Sequence, residues 1–203
     1  MVVGEIALMA DNDKSLLDAH IKGDKTAFRE LVQRHGGSLL GYLIYMTGNR
    51  HQAEDLFQET FKRVHEKART FAGGSFRNWL FAIAAHAAID SFRRGSRLQF
   101  VSLNQTSGCA DDCPTLTQLT QAETARDPSD EAVKSEQKAK VRQAVLSLPT
   151  RQRTTLVLAY YQKLSYSEIA QVLGCSIGTV KTQMSRALRT LARRLPESVE
   201  VTK

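Results

Sequence analysis

The stretch Ser165–Leu195, SYSEIAQVLGCSIGTVKTQMSRALRTLARRL, leaves this chain less conformational freedom than any other part of it. Two short helical patterns meet at Gly174-Cys175-Ser176. Ser165 and Glu168 have the spacing of a capping box, in which hydroxyl and carboxylate each satisfy a free N–H at a helix start. Gly174 suits the left-handed backbone that ends a helix, and Ser176 can cap the next one. Ile169, Ala170, Val172 and Leu173 read as the inner face of the first helix. Ile177, Val180, Met184, Leu188, Leu191 and Leu195 read as a seam along the second. A short helix, a tight turn and a basic second helix make a helix-turn-helix, which lays its second helix in a DNA major groove. Ser176, Thr179, Lys181, Thr182, Gln183, Ser185, Arg186 and Arg189 remain for the outside. Arginine forks onto guanine and glutamine onto adenine, while Lys181, Arg189, Arg193 and Arg194 equally suit phosphates.

Charge follows the same division. The net charge is +7 over 203 residues. Residues 1–100 carry 14 Lys+Arg against 11 Asp+Glu, residues 101–130 one against five, and residues 131–203 13 against five. The positive excess therefore lies beside the helix-turn-helix, as a polyanion partner requires.

The N-terminal block is helical by periodicity. Ala27, Phe28, Leu31 and Val32 share one face, and Leu39, Leu40, Leu43, Ile44 and Met46 continue it to Gly48-Asn49. In AEDLFQETFKRVHEKARTF, the residues Ala53, Leu56, Phe57, Phe61, Val64 and Ala68 recur at three- and four-residue steps. Glu54, Asp55, Gln58 and Glu59 are left on the other side. Carboxylates repel phosphate, so that face suits a protein partner or plain solvent. After Gly73-Gly74 comes FRNWLFAIAAHAAIDSFRR, with Trp79, Leu80, Ile83, Ala87 and Ile89 expected inward. Phe71, Phe76, Trp79, Phe81 and Phe92 interleave with Arg77, Arg93, Arg94 and Arg97. That mixture fits either core packing or stacking against single-stranded bases. Residues 101–130, with Pro114 and Pro128, read as a turn-prone linker.

Three cysteines, Cys109, Cys113 and Cys175, make no paired framework and are expected as free thiols in a reducing compartment. No apolar run reaches membrane-spanning length, and the N-terminus lacks the basic start of a signal peptide. The expected location is cytoplasmic. No phosphate loop, nucleophile elbow or metal-ligand quartet occurs, so no enzyme activity, metal or cofactor is expected.

The order of these motifs resembles the extracytoplasmic-function (group IV) sigma factors of bacterial RNA polymerase. DAHIKGDKTAFRELVQRH, AEDLFQETFKRV and FRNWLFAIAAHAAIDSFRR resemble sigma region 2. LPTRQRTTLVLAYYQKLSYSEIAQVLGCSIGTVKTQMSRALRTL resembles region 4. The helix-turn-helix pattern alone is shared with response-regulator proteins, but those carry a parallel-sheet domain that this N-terminus lacks.

The resemblance implies an all-α chain of two small helical domains, residues 14–97 and 134–195, joined by a flexible acidic linker over 98–133. It implies binding to core RNA polymerase through the β′ clamp helices and β flap, to promoter DNA, and to an anti-sigma factor, without membrane insertion. Glu54, Asp55, Gln58 and Glu59 would face the clamp. Phe71, Ser75, Phe76, Arg77, Asn78, His86, Asp90, Arg93 and Arg94 would meet the −10 element. Ser176, Thr179, Lys181, Thr182, Gln183, Ser185, Arg186 and Arg189 would meet the −35 element. Ala85-His86 stands where the family commonly has Arg-Asn, and Gln183 where it often has arginine.

Overall fold

Helix boundaries fall where side chains satisfy the free N–H groups of a first turn. The computed structural model describes the backbone of residues 2–99 and 128–195 and the side chains of residues 12–94 and 137–195. After α1 (Val2–Ile21), the Asp24 carboxylate accepts from the Thr26 and Ala27 N–H groups and opens α2 (Lys25–Thr47). Asn49 accepts from the Gln52 N–H and opens α3 (Arg50–Lys67). A 3-10 turn, Ala68–Thr70, leads through the loop 71–75 to α4 (Phe76–Gln99). The second half holds α5 (Pro128–Leu146), α6 (Thr150–Tyr160), α7 (Tyr166–Leu173) and α8 (Ile177–Arg194). All regular structure among the described residues is helical, as expected. Pro128 begins a helix instead of a turn; a first-turn proline lacks only an N–H that has no helical partner there. The segment expected as a linker lies mostly outside the described residues, as do Cys109 and Cys113.

The core grows around α2. Leu31, Leu39, Tyr42, Leu43 and Met46 are all fully buried, against Ala53, Leu56, Phe61 and Val64 of α3. From α4 come Leu80, Phe81, Ala84, Ala85 and Ala88; the small side chains let α4 approach closely. The Phe81 ring meets Tyr42 edge-on, with centroids 5.4 Å apart, a favoured aromatic geometry. Burial drives the Tyr42 phenol far above its ordinary acidity range, so it stays neutral. In the second half, Leu156, Val157 and Leu158 of α6 pack with Ile169 and Val172 of α7 and Val180, Met184 and Ala187 of α8.

Two sequence expectations change. The seam of α8 runs Val180-Met184-Ala187-Leu191, whereas Ile177 and Leu188 are 46% and 51% exposed. Leu188 sits one residue, about 100°, past Ala187 and so leaves the buried stripe. Trp79 and Ile89 of α4 are only half-buried. The two halves also touch: α2 and α4 pack on α5, α6 and α7, and one hydrophobic cluster runs through both.

A buried ionic cluster ties α1 to α2. Asp13, 4% exposed, accepts from Arg34 Nη1 at 2.6 Å and from His35 Nε2 at 2.8 Å. Burial alone raises this carboxyl's pKa, but the His35 hydrogen bond and charge, followed by those of Arg34, bring it below its ordinary value. A carboxylate with a lowered folded-state pKa adds stability at higher pH that is lost as pH falls through that range. Stability should therefore drop as pH falls below about 4, and Asp13→Asn should flatten that drop. Urea titrations between pH 3 and 6 test this; an unchanged slope in the variant would remove Asp13 from the account.

Candidate nucleic-acid interface

The helix-turn-helix is built as its sequence prescribes. Ser165 Oγ accepts from the Glu168 N–H at 3.3 Å, and Glu168 Oε2 accepts from the Ser165 N–H at 2.8 Å. The Ser165 N–H contact first, and then the Ser165 hydroxyl and the Asn78 amide that also donate to it, hold the Glu168 carboxyl below its ordinary pKa. Gly174 adopts φ 61°, ψ 40°, and its N–H bonds back to the last turn of α7. A side chain at that φ would be strained, which accounts for glycine. Ser176 Oγ then accepts from the Thr179 N–H at 3.1 Å and starts α8. With only eight residues, α7 depends strongly on its cap. Ser165→Ala should cost about 1 kcal/mol; equilibrium unfolding that shows no loss would mean that packing alone holds α7.

One face of α8 is free. Ser176, Thr179, Lys181, Thr182, Ser185, Arg186 and Arg189 are exposed and Gln183 is half-exposed, so all eight expected residues share an accessible surface. Thr182 Oγ1 donates to the Gly178 carbonyl, and the Thr179 and Ser176 hydroxyls pair at 3.0 Å. Among the described residues, Lys181, Arg186 and Arg189 form no ion pair with a carboxylate. Their charge is available to phosphate or guanine.

The second surface surrounds the loop 71–75. Phe71, Phe76 and Trp79 form a ring cluster, with centroids 5.1 to 6.1 Å apart. Phe76 is 1% exposed, beneath Phe71 and Trp79 and against His35. Of the two readings of these aromatics, core packing holds for the Phe76 ring: packing draws it under the loop, which it supports from below. Ser75 is exposed and has a structural task missed in the sequence, since its Oγ accepts from the Asn78 N–H and caps α4. His86, Asp90, Arg93 and Arg94 follow along the exposed side of α4. His86 Nδ1 donates to the Ala82 carbonyl at 2.7 Å.

Arg77 and Asn78 are half-buried because α7 and the turn before it lie over them. Arg77 Nη2 donates to the Gln162 carbonyl at 2.8 Å and to Gln162 Oε1 at 3.1 Å. Burial lowers the pKa of this guanidinium, opposed by the nearby Glu168 charge. Asn78 Nδ2 donates to Glu168 Oε1 at 3.2 Å. No local sequence signal announces contacts that span 85 and 90 positions.

The acidic residues lie on α3. Asp55 and Gln58 are exposed, Glu54 and Glu59 half-exposed. Arg50 donates to Glu54 at 2.8 Å and Arg63 to Glu59 at 2.7 Å, one helical turn away in each case. The Arg63 bond leads the effects that lower the Glu59 pKa. Asp55 has no such partner among the described residues, so the exposed charge centres on it. Among the described residues, no group of His, Cys, Asp and Glu is arranged to hold a metal ion.

Known proteins resemble this chain in sequence and fold. Residues 31–98 match the model for sigma-70 region 2, and residues 138–191 match that for sigma-70 region 4. The RNA polymerase sigma factor YlaC of Bacillus subtilis is 33% identical over 87% of this chain and 96% of its own length. The ECF RNA polymerase sigma factor BldN of Streptomyces coelicolor is 34% identical over 93% of this chain and 69% of its own. Among solved structures, CnrH in complex with the cytosolic domain of CnrY superposes with a TM-score of 0.62 at 25% identity, covering 92% of this chain and 99% of that one.

Proposed function

This chain belongs to the extracytoplasmic-function family of RNA polymerase sigma factors, and on that premise we propose how its surfaces divide the work of starting transcription. As a sigma factor it directs core RNA polymerase to promoters. The α3 surface, Glu54, Asp55, Gln58 and Glu59, docks on the β′ clamp helices, and the second half engages the β flap. The exposed α8 face reads the −35 element as duplex. The loop 71–75 with Arg77, Asn78, His86, Asp90, Arg93 and Arg94 holds the separated −10 strand. The first half, residues 14–97, and the second, residues 134–195, act as the two domains, with 98–133 between them.

The observation that carries this reading is the segregation of charge: an unpaired cationic face on α8 and an acidic face on α3. Duplex opening is then a shift of population, since a surface that binds the separated strand more tightly than the duplex favours the open form. The chain itself performs no covalent chemistry in this scheme. Its work is cytoplasmic, where polymerase and template are; no helix among the described residues is long and apolar enough to cross a membrane. An anti-sigma factor is its proposed protein partner, by likeness to the sigma factor RpoE, which is solved in complex with the anti-sigma factor NepR from Bartonella quintana.

Run-off transcription with core enzyme, on templates selected from random DNA by the reconstituted holoenzyme, tests the proposal. Discrete start sites that depend on the added chain are expected; transcription identical to core alone would overturn it. On the selected promoter, Arg186→Ala should lose about 1–3 kcal/mol of discrimination at one base pair if this arginine reads a base. Equal weakening on every sequence would instead make Arg186 a phosphate contact.

A further inference from the structure

We infer that Ile177 reads a thymine of the −35 element through apolar contact with its C5-methyl group, and that Gly178 beside it lets the first turn of α8 come close to the base edges. This inference rests on the proposed reading of duplex DNA by α8. It starts from two features of that turn that the fold does not require. Ile177 is 46% exposed, although the period of the helix suits an isoleucine to the seam. Gly178 is a glycine inside a helix.

A single exposed apolar side chain is ordinary, so its place decides what it can do. A recognition helix meets base edges with its N-terminal residues. In the first turn of α8, Val180 is buried and Gly178 has no side chain. The hydroxyls of Ser176 and Thr179 pair with each other at 3.0 Å, and Ser176 Oγ also accepts from the Thr179 N–H. Thr182 Oγ1 donates to the Gly178 carbonyl. The short polar groups at this end are thus engaged by the helix itself, and Ile177 is the large side chain that the first turn offers outward. Lys181 follows one turn later on the same edge, which joins Ile177 to the proposed DNA face. Leu188 lies on that edge too, but about 16 Å further along the axis, away from the end that meets the bases. Ile177 also borders an open groove with Ala170 of α7 and Cys175 of the turn, so the apolar surface offered there exceeds one side chain.

On the major-groove edges of the bases, the thymine C5-methyl is the apolar group. An aliphatic side chain gains by covering it. The same side chain over a cytosine amino group would strip that donor of water and give it no partner. Gly178 serves the same contact. A Cβ there would meet only Ser176 Oγ, at an ordinary 3.7 Å, so packing does not call for glycine. Glycine within a helix is destabilising relative to alanine, and one use that offsets this is close approach of the backbone to a ligand.

Promoter fragments that carry deoxyuridine, which lacks only the C5-methyl of thymidine, test this. Each thymine of the selected −35 element, on either strand, is replaced in turn, and the affinity of the reconstituted holoenzyme is measured by fluorescence anisotropy. With the unsubstituted chain, one replacement should weaken binding about fourfold, the effect of withdrawing one methyl group from burial. With Ile177→Ala that replacement should cost nothing. Ile177→Val keeps two methyl groups and should retain the dependence. Gly178→Ala should weaken binding to the unmodified promoter, while the unfolding midpoint of the free chain stays or rises.

If no deoxyuridine weakens binding by the unsubstituted chain, or if the selected element holds no A·T pair, the inference is wrong whatever the variants do. A methyl dependence that persists with Ile177→Ala overturns the assignment to Ile177. Undiminished binding with Gly178→Ala overturns the close approach of the first turn. The reading of α8 as the −35 surface fails by a different result: scrambling the −35 sequence would leave holoenzyme affinity as it was.

Discussion

Asp55→Lys with Glu59→Lys should weaken binding to core RNA polymerase on the order of a hundredfold, because opposed like charges cost several kcal/mol across an interface. The structure shows why the pair matters more than either change alone. Glu59 is partly neutralised by Arg63 at 2.7 Å, whereas Asp55 is exposed and has no ion-pair partner among the described residues. The double change turns a patch centred on Asp55 into a cationic run with Lys62 and Arg63. Its effect on the helix is small, since like charges one turn apart cost only about 0.2–0.5 kcal/mol each. The fold should therefore survive, and −35 duplex binding through α8 should be unaltered. Titration of labelled chain with core enzyme measures the first quantity, and anisotropy with duplex promoter DNA the second. Unchanged affinity for core would remove α3 from the polymerase interface; parallel loss of both activities would indicate a folding defect.

What the sequence disclosed depends on how far apart the interacting residues are. Ser165, Glu168, Gly174 and Ser176 act over three or four positions, so their caps and turn were legible and stand in the structure. The stripes on α2 and α3 were legible for the same reason, since a helix brings every third or fourth residue onto one face. Phe76 and Trp79 were harder. An aromatic residue beside an arginine suits a core as well as a nucleic-acid surface, and only packing decided that Phe76 lies beneath the loop. Ile177 and Leu188 have the period of the α8 seam but no neighbour over them, and periodicity does not report where a partner helix ends. The contacts between the halves had no signature. Gln162 reads as an ordinary polar residue after a helix, yet it bridges Ser38 and Arg77, 124 and 85 positions away. Arg153 was equally silent.

Arg153→Met should destabilise the fold by about 3 kcal/mol and divide one unfolding transition into two. The guanidinium bridges the halves from α6. Nη1 donates to the Met46 carbonyl at the end of α2, and Nη2 donates to the Leu146 and Leu148 carbonyls. The charge also lies over the Phe92 ring of α4, 5.4 Å from its centroid. Hydrogen bonds to charged groups contribute about 1.5–3 kcal/mol each, but burying the cation offsets part of that sum. Burial lowers the pKa of this arginine, and its Nε has no hydrogen-bond partner among the described residues. Methionine retains an apolar stem of similar reach and removes only the donors. Lysine should not rescue, because a single ammonium lacks the planar fork that spans three carbonyls. The exposed neighbour Arg151 supplies the control: Arg151→Met should stay within about 0.5 kcal/mol. Urea unfolding followed separately by Trp79 fluorescence, which reports the first half, and by far-ultraviolet circular dichroism, which reports both, gives the readout. Coincident curves for the unsubstituted chain and separated ones for Arg153→Met are expected. If the two probes still coincide in the variant, with an unchanged midpoint, the apolar contacts between α2, α4 and α6 hold the halves together and the guanidinium is dispensable.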